Sequence, residues 1–125
     1  MIFTSGHKQR KQLTQKIYEF ACSKYPELRN TEITVLTRGL KKEGVYGWCT
    51  PEDENEWLIE LETTLDTHDY ITVMFHELVH VKQDLAGFDD VDAREDEAYR
   101  LEKVLTMQYN QTESKSFYFP NRLMN

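Results

Sequence analysis

The segment from Asp66 to Ala86 constrains this chain most, because it reads as one long helix with most of its circumference covered. At 100° per residue, Tyr70, Ile71, Met74, Phe75, Leu78, Val79, Val81, Leu85 and Ala86 fill a wide apolar arc. A helix apolar over so much of its surface belongs inside a fold. The remaining strip carries Asp69, Thr72, His76, Glu77, His80, Gln83 and Asp84, with the two histidines near its middle. Asp66 or Thr67 can cap the N-terminus, and Gly87 suits the C-terminal turn. A polar strip on a mostly buried helix turns towards a cleft or a polar partner, since buried polar groups need partners.

The strip takes His76, Glu77 and His80 from the run His76-Glu77-Leu78-Val79-His80. Residues four apart on a helix lie one turn above each other, so both imidazoles can point at one ion. Zinc accepts such nitrogen ligands and in reactive sites takes three protein ligands plus water. Glu77, beside the pair, is placed to act as general base on that water. The third ligand should come from Arg94-Glu95-Asp96-Glu97-Ala98, at the start of the last helix. Measured from a stripe of Ala98, Leu101, Val104 and Leu105, Glu97 lies about 50° away, Glu95 about 110° and Asp96 about 150°. Glu97 is therefore the expected third ligand; Glu95 and Asp96 are expected to face water or to support the helix N-terminus.

The rest of the chain reads as an α+β domain. A helix is expected over residues 8–25, with Leu13, Ile17, Phe20 and Ala21 at helical spacing and Tyr25-Pro26 ending it. Strands are expected at Glu32–Thr37, Val45–Thr50 and Glu56–Thr63, making a small three-stranded sheet that backs the metal-site helix. A last helix is expected from Asp92 to about Gln108. Residues 1–109 then form one domain. Residues 110–125 form a C-terminal tail, docked by Phe117, Tyr118 and Phe119 or mobile.

A net charge of -7 argues against nucleic acid and against an anionic membrane surface as partners. The basic run at His7-Lys8-Gln9-Arg10-Lys11 reads as a solvated helix face. Cys22 and Cys49 have no short metal spacing and read as free thiols. No apolar run suggests a signal peptide or a membrane span, so a cytoplasmic location is expected.

The stretches MFHELVHVKQ and REDEAYRLE together resemble the gluzincins, and more closely their minimal single-domain members of bacteria and phages. The resemblance covers the second half of the chain. It implies a zincin-like fold and a zinc-dependent peptidase acting on a peptide or protein substrate. His76, His80 and Glu97 would be the Zn2+ ligands and Glu77 the general base. Members usually add a Tyr or His that stabilises the oxyanion; Tyr46, Tyr99 and Tyr109 are the candidates here, each also suited to packing. The alternative is a zincin-like protein that binds or regulates a partner without hydrolysing it. A peptide could join the sheet at Glu56–Thr63 or Val45–Thr50.

Overall fold

The computed structural model describes residues 1–6 and 8–124, with side chains described as far as residue 114. The aromatic group at 117–119 and His7 of the basic run lie outside the described side chains. The elements are β1 (Ile2–Thr4), α1 (Lys8–Lys24), β2 (Glu32–Arg38), β3 (Gly47–Asp53), β4 (Glu56–Glu62), α2 (Thr67–Leu85) and α3 (Val91–Met124), with short 3-10 turns at Pro26–Asn30 and Lys41–Glu43. The architecture is α+β: an N-terminal helix, a mixed sheet and two C-terminal helices. Among the described residues, no helix is long and apolar enough to cross a membrane.

The sheet has four strands, not three, in the order β1-β2-β4-β3. The added strand is β1, which pairs parallel to β2 with Ile2 opposite Ile33. β2 pairs parallel to β4, and β3 pairs antiparallel to β4. Side chains alternate across the sheet as pleating requires. Ile33, Val35, Trp57, Ile59 and Leu61 are buried towards the helices, while Glu32, Thr34 and Leu36 face outwards. Since β4 is interior, Glu56–Thr63 cannot accept another strand; of the two expected places, only the β3 side is an edge.

β3 begins two residues later than expected and continues through Pro51. Tyr46 C=O accepts from Glu62 N–H at 2.8 Å. Antiparallel alternation then makes Gly47, Cys49 and Pro51 the positions whose backbone groups point away from β4. The missing N–H of Pro51 therefore costs no ladder bond, which is why an edge strand tolerates it.

α2 obeys its sequence signals. The Asp66 side chain accepts from Asp69 N–H at 2.8 Å, and Gly87 takes the left-handed conformation (φ +70°) just beyond the helix. Tyr70, Ile71, Met74, Phe75, Leu78, Val79 and Val81 of its apolar arc are buried, whereas Leu85 and Ala86 at the end of the arc are exposed; Phe20 of α1, Phe75 and Tyr109 form an edge-to-face cluster with centroids 5.6–5.9 Å apart. α1 is less uniformly solvated than its basic run suggests: the Arg10 guanidinium lies 4.2 Å from the Tyr70 ring centre, and Thr14 Oγ1 shares a 2.6 Å hydrogen bond with Tyr70 Oη.

α3 runs through Met124 where a helix ending near Gln108 followed by a tail was expected. The segment from Tyr109 to Ser114 contains no Gly or Pro, so nothing in it stops the helix. The Asp90 side chain accepts from Ala93 N–H at 2.9 Å, which supports the start of α3. α3 lies along the polar strip of α2 and contributes Ala98, Glu102, Leu105, Thr106 and Tyr109 to the buried interior.

Candidate metal centre

The polar strip of α2 is sealed on one side by α3 and on another by β3. His76 and His80 are each only 8% exposed, Glu77 4% and Gln83 1%. So many buried polar groups on one helix face require compensation.

The two imidazoles converge. His76 Nε2 and His80 Nε2 stand 3.2 Å apart. Glu95, on the second turn of α3, completes the group: its Oε1 is 2.7 Å from His80 Nε2 and its Oε2 is 3.6 Å from His76 Nε2. His76, His80 and Glu95 could hold a metal ion, their ligand atoms all lying within 4.8 Å of one another. For comparison, two ligand atoms in a tetrahedral zinc site are about 3.4 Å apart, given bonds of ~2.0–2.1 Å.

The other ring nitrogens show why this group suits a cation. His76 Nδ1 is 3.1 Å from Glu102 Oε1, and His80 Nδ1 is 2.8 Å from Gln83 Oε1. Both partners are acceptors, so each Nδ1 carries the hydrogen. In the neutral tautomer each Nε2 then presents a lone pair. Two lone pairs and a carboxylate facing one point repel unless a proton or a metal cation lies among them. A carboxylate or amide oxygen behind each histidine is also the arrangement that orients imidazole ligands around metals.

Glu97, expected as the third ligand, stands elsewhere. Its Oε1 accepts from Gln83 Nε2 at 3.1 Å and lies 4.0 Å from Lys82 Nζ. A stripe of apolar residues alone does not mark the face that α3 buries. Val104, used to set the stripe, is 37% exposed, whereas the polar Glu102 and Thr106 are buried. Measured from the residues α3 buries, Glu95 lies about 35° from the centre and Glu97 about 125°. Glu102 and Gln83 were not expected in the site. The spacing Glu95-Ala98-Glu102-Leu105, which repeats every three to four residues, is the signal that could have found the two carboxylates.

Glu77 lines a cavity of about 640 Å³ together with both histidines and Glu95. No hydrogen bond to its carboxylate occurs among the described residues. Burial, and then the neighbouring Glu95 and Glu102 carboxylates, push its pKa from 4.5 up to about 8. A cation held by the triad would oppose that shift. The β3 edge closes the opposite wall. A Cβ on Gly47 would stand 2.6 Å from Glu77 Oε2 and 2.7 Å from Val73 Cγ1, so only glycine allows the strand so near the helix.

The remaining expected residues divide. Tyr46 and Tyr99 line the cavity, the Tyr99 ring 4.7 Å from that of His76. Tyr109 is packed in the aromatic cluster, with its phenol raised to about 12 chiefly by burial. Both cysteines are free; Cys49 lines the cavity but is not in the metal-holding group. Asp84 accepts from Trp57 Nε1 at 2.8 Å and from Arg94 Nη1 at 2.7 Å, tying β4, α2 and α3 together beside the site.

The fold and site thus define an α+β domain with a His-His-Glu group able to hold a metal ion. No protein-family model, no curated protein and no solved structure matches the chain.

Proposed function

We propose that this protein is a zinc-dependent peptidase whose ion is held by His76, His80 and Glu95 and whose general base is Glu77. The observation that carries the reading is the convergence of two Nε2 lone pairs and a carboxylate beside a buried, unbonded glutamate in one cavity. The donor set fits zinc, which takes imidazole nitrogen and carboxylate oxygen with a position left for water.

When bound, the ion supplies Lewis acidity, polarising the scissile carbonyl and making nearby water more acidic. Glu77 takes the proton of the attacking water and returns it to the leaving amine. Gly47 leaves the room its carboxylate occupies. The peptide joins the sheet at β3, where the outward N–H and C=O groups of Gly47 and Cys49 receive it and Pro51 offers only an acceptor. Tyr46 or Tyr99 donates to the developing oxyanion from the cavity wall.

The test uses the zinc-loaded protein and a mixed peptide library read by mass spectrometry. Wild type should cut peptides, and Glu77→Gln should retain one zinc per chain while losing roughly 10²–10⁴-fold in rate. Hydrolysis at the wild-type rate by Glu77→Gln would remove Glu77 from its role. Zinc uptake without cleavage by wild type would favour a zincin-like binding or regulatory protein.

A further inference from the structure

We propose that Gln83 is a positioning residue that couples the two helices of the metal centre, orienting the ligand His80 on α2 while holding the ligand-bearing start of α3. The inference rests on the metal centre proposed above and does not depend on peptide hydrolysis.

Gln83 has one amide oxygen and one amide NH2, and the structure uses both. The NH2 donates to Arg94 C=O at 2.9 Å and to Glu97 Oε1 at 3.1 Å. Each of those partners can only accept, so the amide cannot be turned over without setting oxygen against oxygen twice. Its Oε1 is thereby committed to His80 Nδ1, 2.8 Å away. That contact fixes the hydrogen on Nδ1 and leaves Nε2 free to bind a cation.

The two acceptors on α3 flank Glu95 in sequence: the Arg94 carbonyl comes one residue before it and Glu97 two residues after. The same amide therefore sets the tautomer of the second ligand and the position of the backbone that carries the third. Gln83 is 1% exposed, so water does not compete for these bonds. Glu97 acquires a role through this relay. It anchors the amide that orients a ligand.

The experiment measures zinc affinity by competition with a chromophoric chelator, the visible spectrum of the cobalt-loaded protein, and the melting temperature of the metal-free chain. Four forms are compared: wild type, Gln83→Leu, Gln83→Glu, and Gln83→Glu combined with Glu97→Gln. Gln83→Leu should bind zinc 10–100-fold more weakly and alter the cobalt spectrum. Gln83→Glu, which faces a carboxylate with Glu97 and the Arg94 carbonyl, should also bind more weakly. The double variant supplies an amide donor from position 97 again and should recover part of that loss. A simple packing role would lower the melting temperature of Gln83→Leu but leave the affinity and spectrum of its folded fraction as in wild type, and that result overturns the coupling. So does a Gln83→Glu variant that binds as wild type does, or one whose defect Glu97→Gln does not relieve. If Gln83→Leu fails to fold, the Gln83→Glu pair carries the test. Wild type that takes up no divalent ion overturns the metal centre and this coupling together, whereas wild-type binding with unaffected variants overturns the coupling alone.

Discussion

Helix α2 is buried on two faces for opposite reasons. Towards the sheet and α1 it presents Tyr70, Met74, Phe75 and Leu78, whose removal from water drives folding. Towards α3 and β3 it presents His76, Glu77, His80 and Gln83, whose removal from water opposes folding. The apolar face needs only shape. The polar face uses specific partners for all but Glu77: Glu102 for His76, Gln83 for His80, and Arg94 and Glu97 for Gln83. What those bonds leave over, two lone pairs and the Glu95 carboxylate around one point, is a group that could hold a metal ion.

Two buried glutamates show the same contrast at the scale of one group. The Glu62 carboxylate accepts from Thr64 Oγ1 at 2.6 Å, and from Leu40 N–H and Thr64 N–H at 2.8 Å each. Those hydrogen bonds, that from the Thr64 hydroxyl first, hold its pKa down at about 2. Among the described residues Glu77 has no such donors, and burial raises it to about 8. One is a carboxylate satisfied by hydrogen bonds; the other is buried beside the cavity without them.

Two substitutions separate the faces and a third separates the two glutamates, beginning with the largest effect on stability. Phe75→Ala should cost about 3–5 kcal/mol in chemical denaturation, since it empties the aromatic cluster on the apolar face. The fraction that remains folded should bind zinc as wild type does; a parallel loss of affinity would mean that the two faces are not independent. Gly47→Ala should cost less, about 1–3 kcal/mol, because the new Cβ crowds Val73 and the movable end of Glu77. Its larger effect should be on hydrolysis, with zinc content intact; wild-type turnover would show that Glu77 does not need the space beside β3.

Glu62→Gln is told apart by its pH dependence: its loss of stability should be greatest near neutral pH, where wild type holds the full contribution of the carboxylate, and should close in acid. A carboxyl whose folded pKa of about 2 lies below its ordinary 4.5 stabilises the fold fully above pH 4.5, and that contribution is lost as pH falls towards 2. Denaturation midpoints across that interval should fall less steeply for Glu62→Gln than for wild type. Parallel curves would assign the acid sensitivity to other groups.

The same division decided what could be read from the chain in advance. The apolar face of α2, its Asp66 cap and the alternation in β4 were legible because hydrophobic burial leaves a periodic trace. The His76/His80 pair was legible because its spacing is local to one helix. β1 was not, since three residues carry no period, and its pairing depends on Ile33, thirty-one positions from Ile2. Pro51 hid the length of β3, because a proline is excluded from an interior strand but not from outward-facing positions of an edge. That Glu95 rather than Glu97 approaches the histidines was not legible, because the buried stripe of α3 includes polar residues that no hydrophobic pattern reports. Gln83 was seen on the polar strip, but its task lies in bonds to another helix.

The most direct test is a zinc titration of the purified metal-free protein alongside Glu95→Gln and Glu97→Gln, with the metal-to-chain ratio determined at saturation. The account predicts one zinc per chain for wild type, a severe loss of affinity for Glu95→Gln, and a modest change for Glu97→Gln, whose amide oxygen can still accept from Gln83. Equal binding by wild type and Glu95→Gln, or a collapse of binding only in Glu97→Gln, would contradict it.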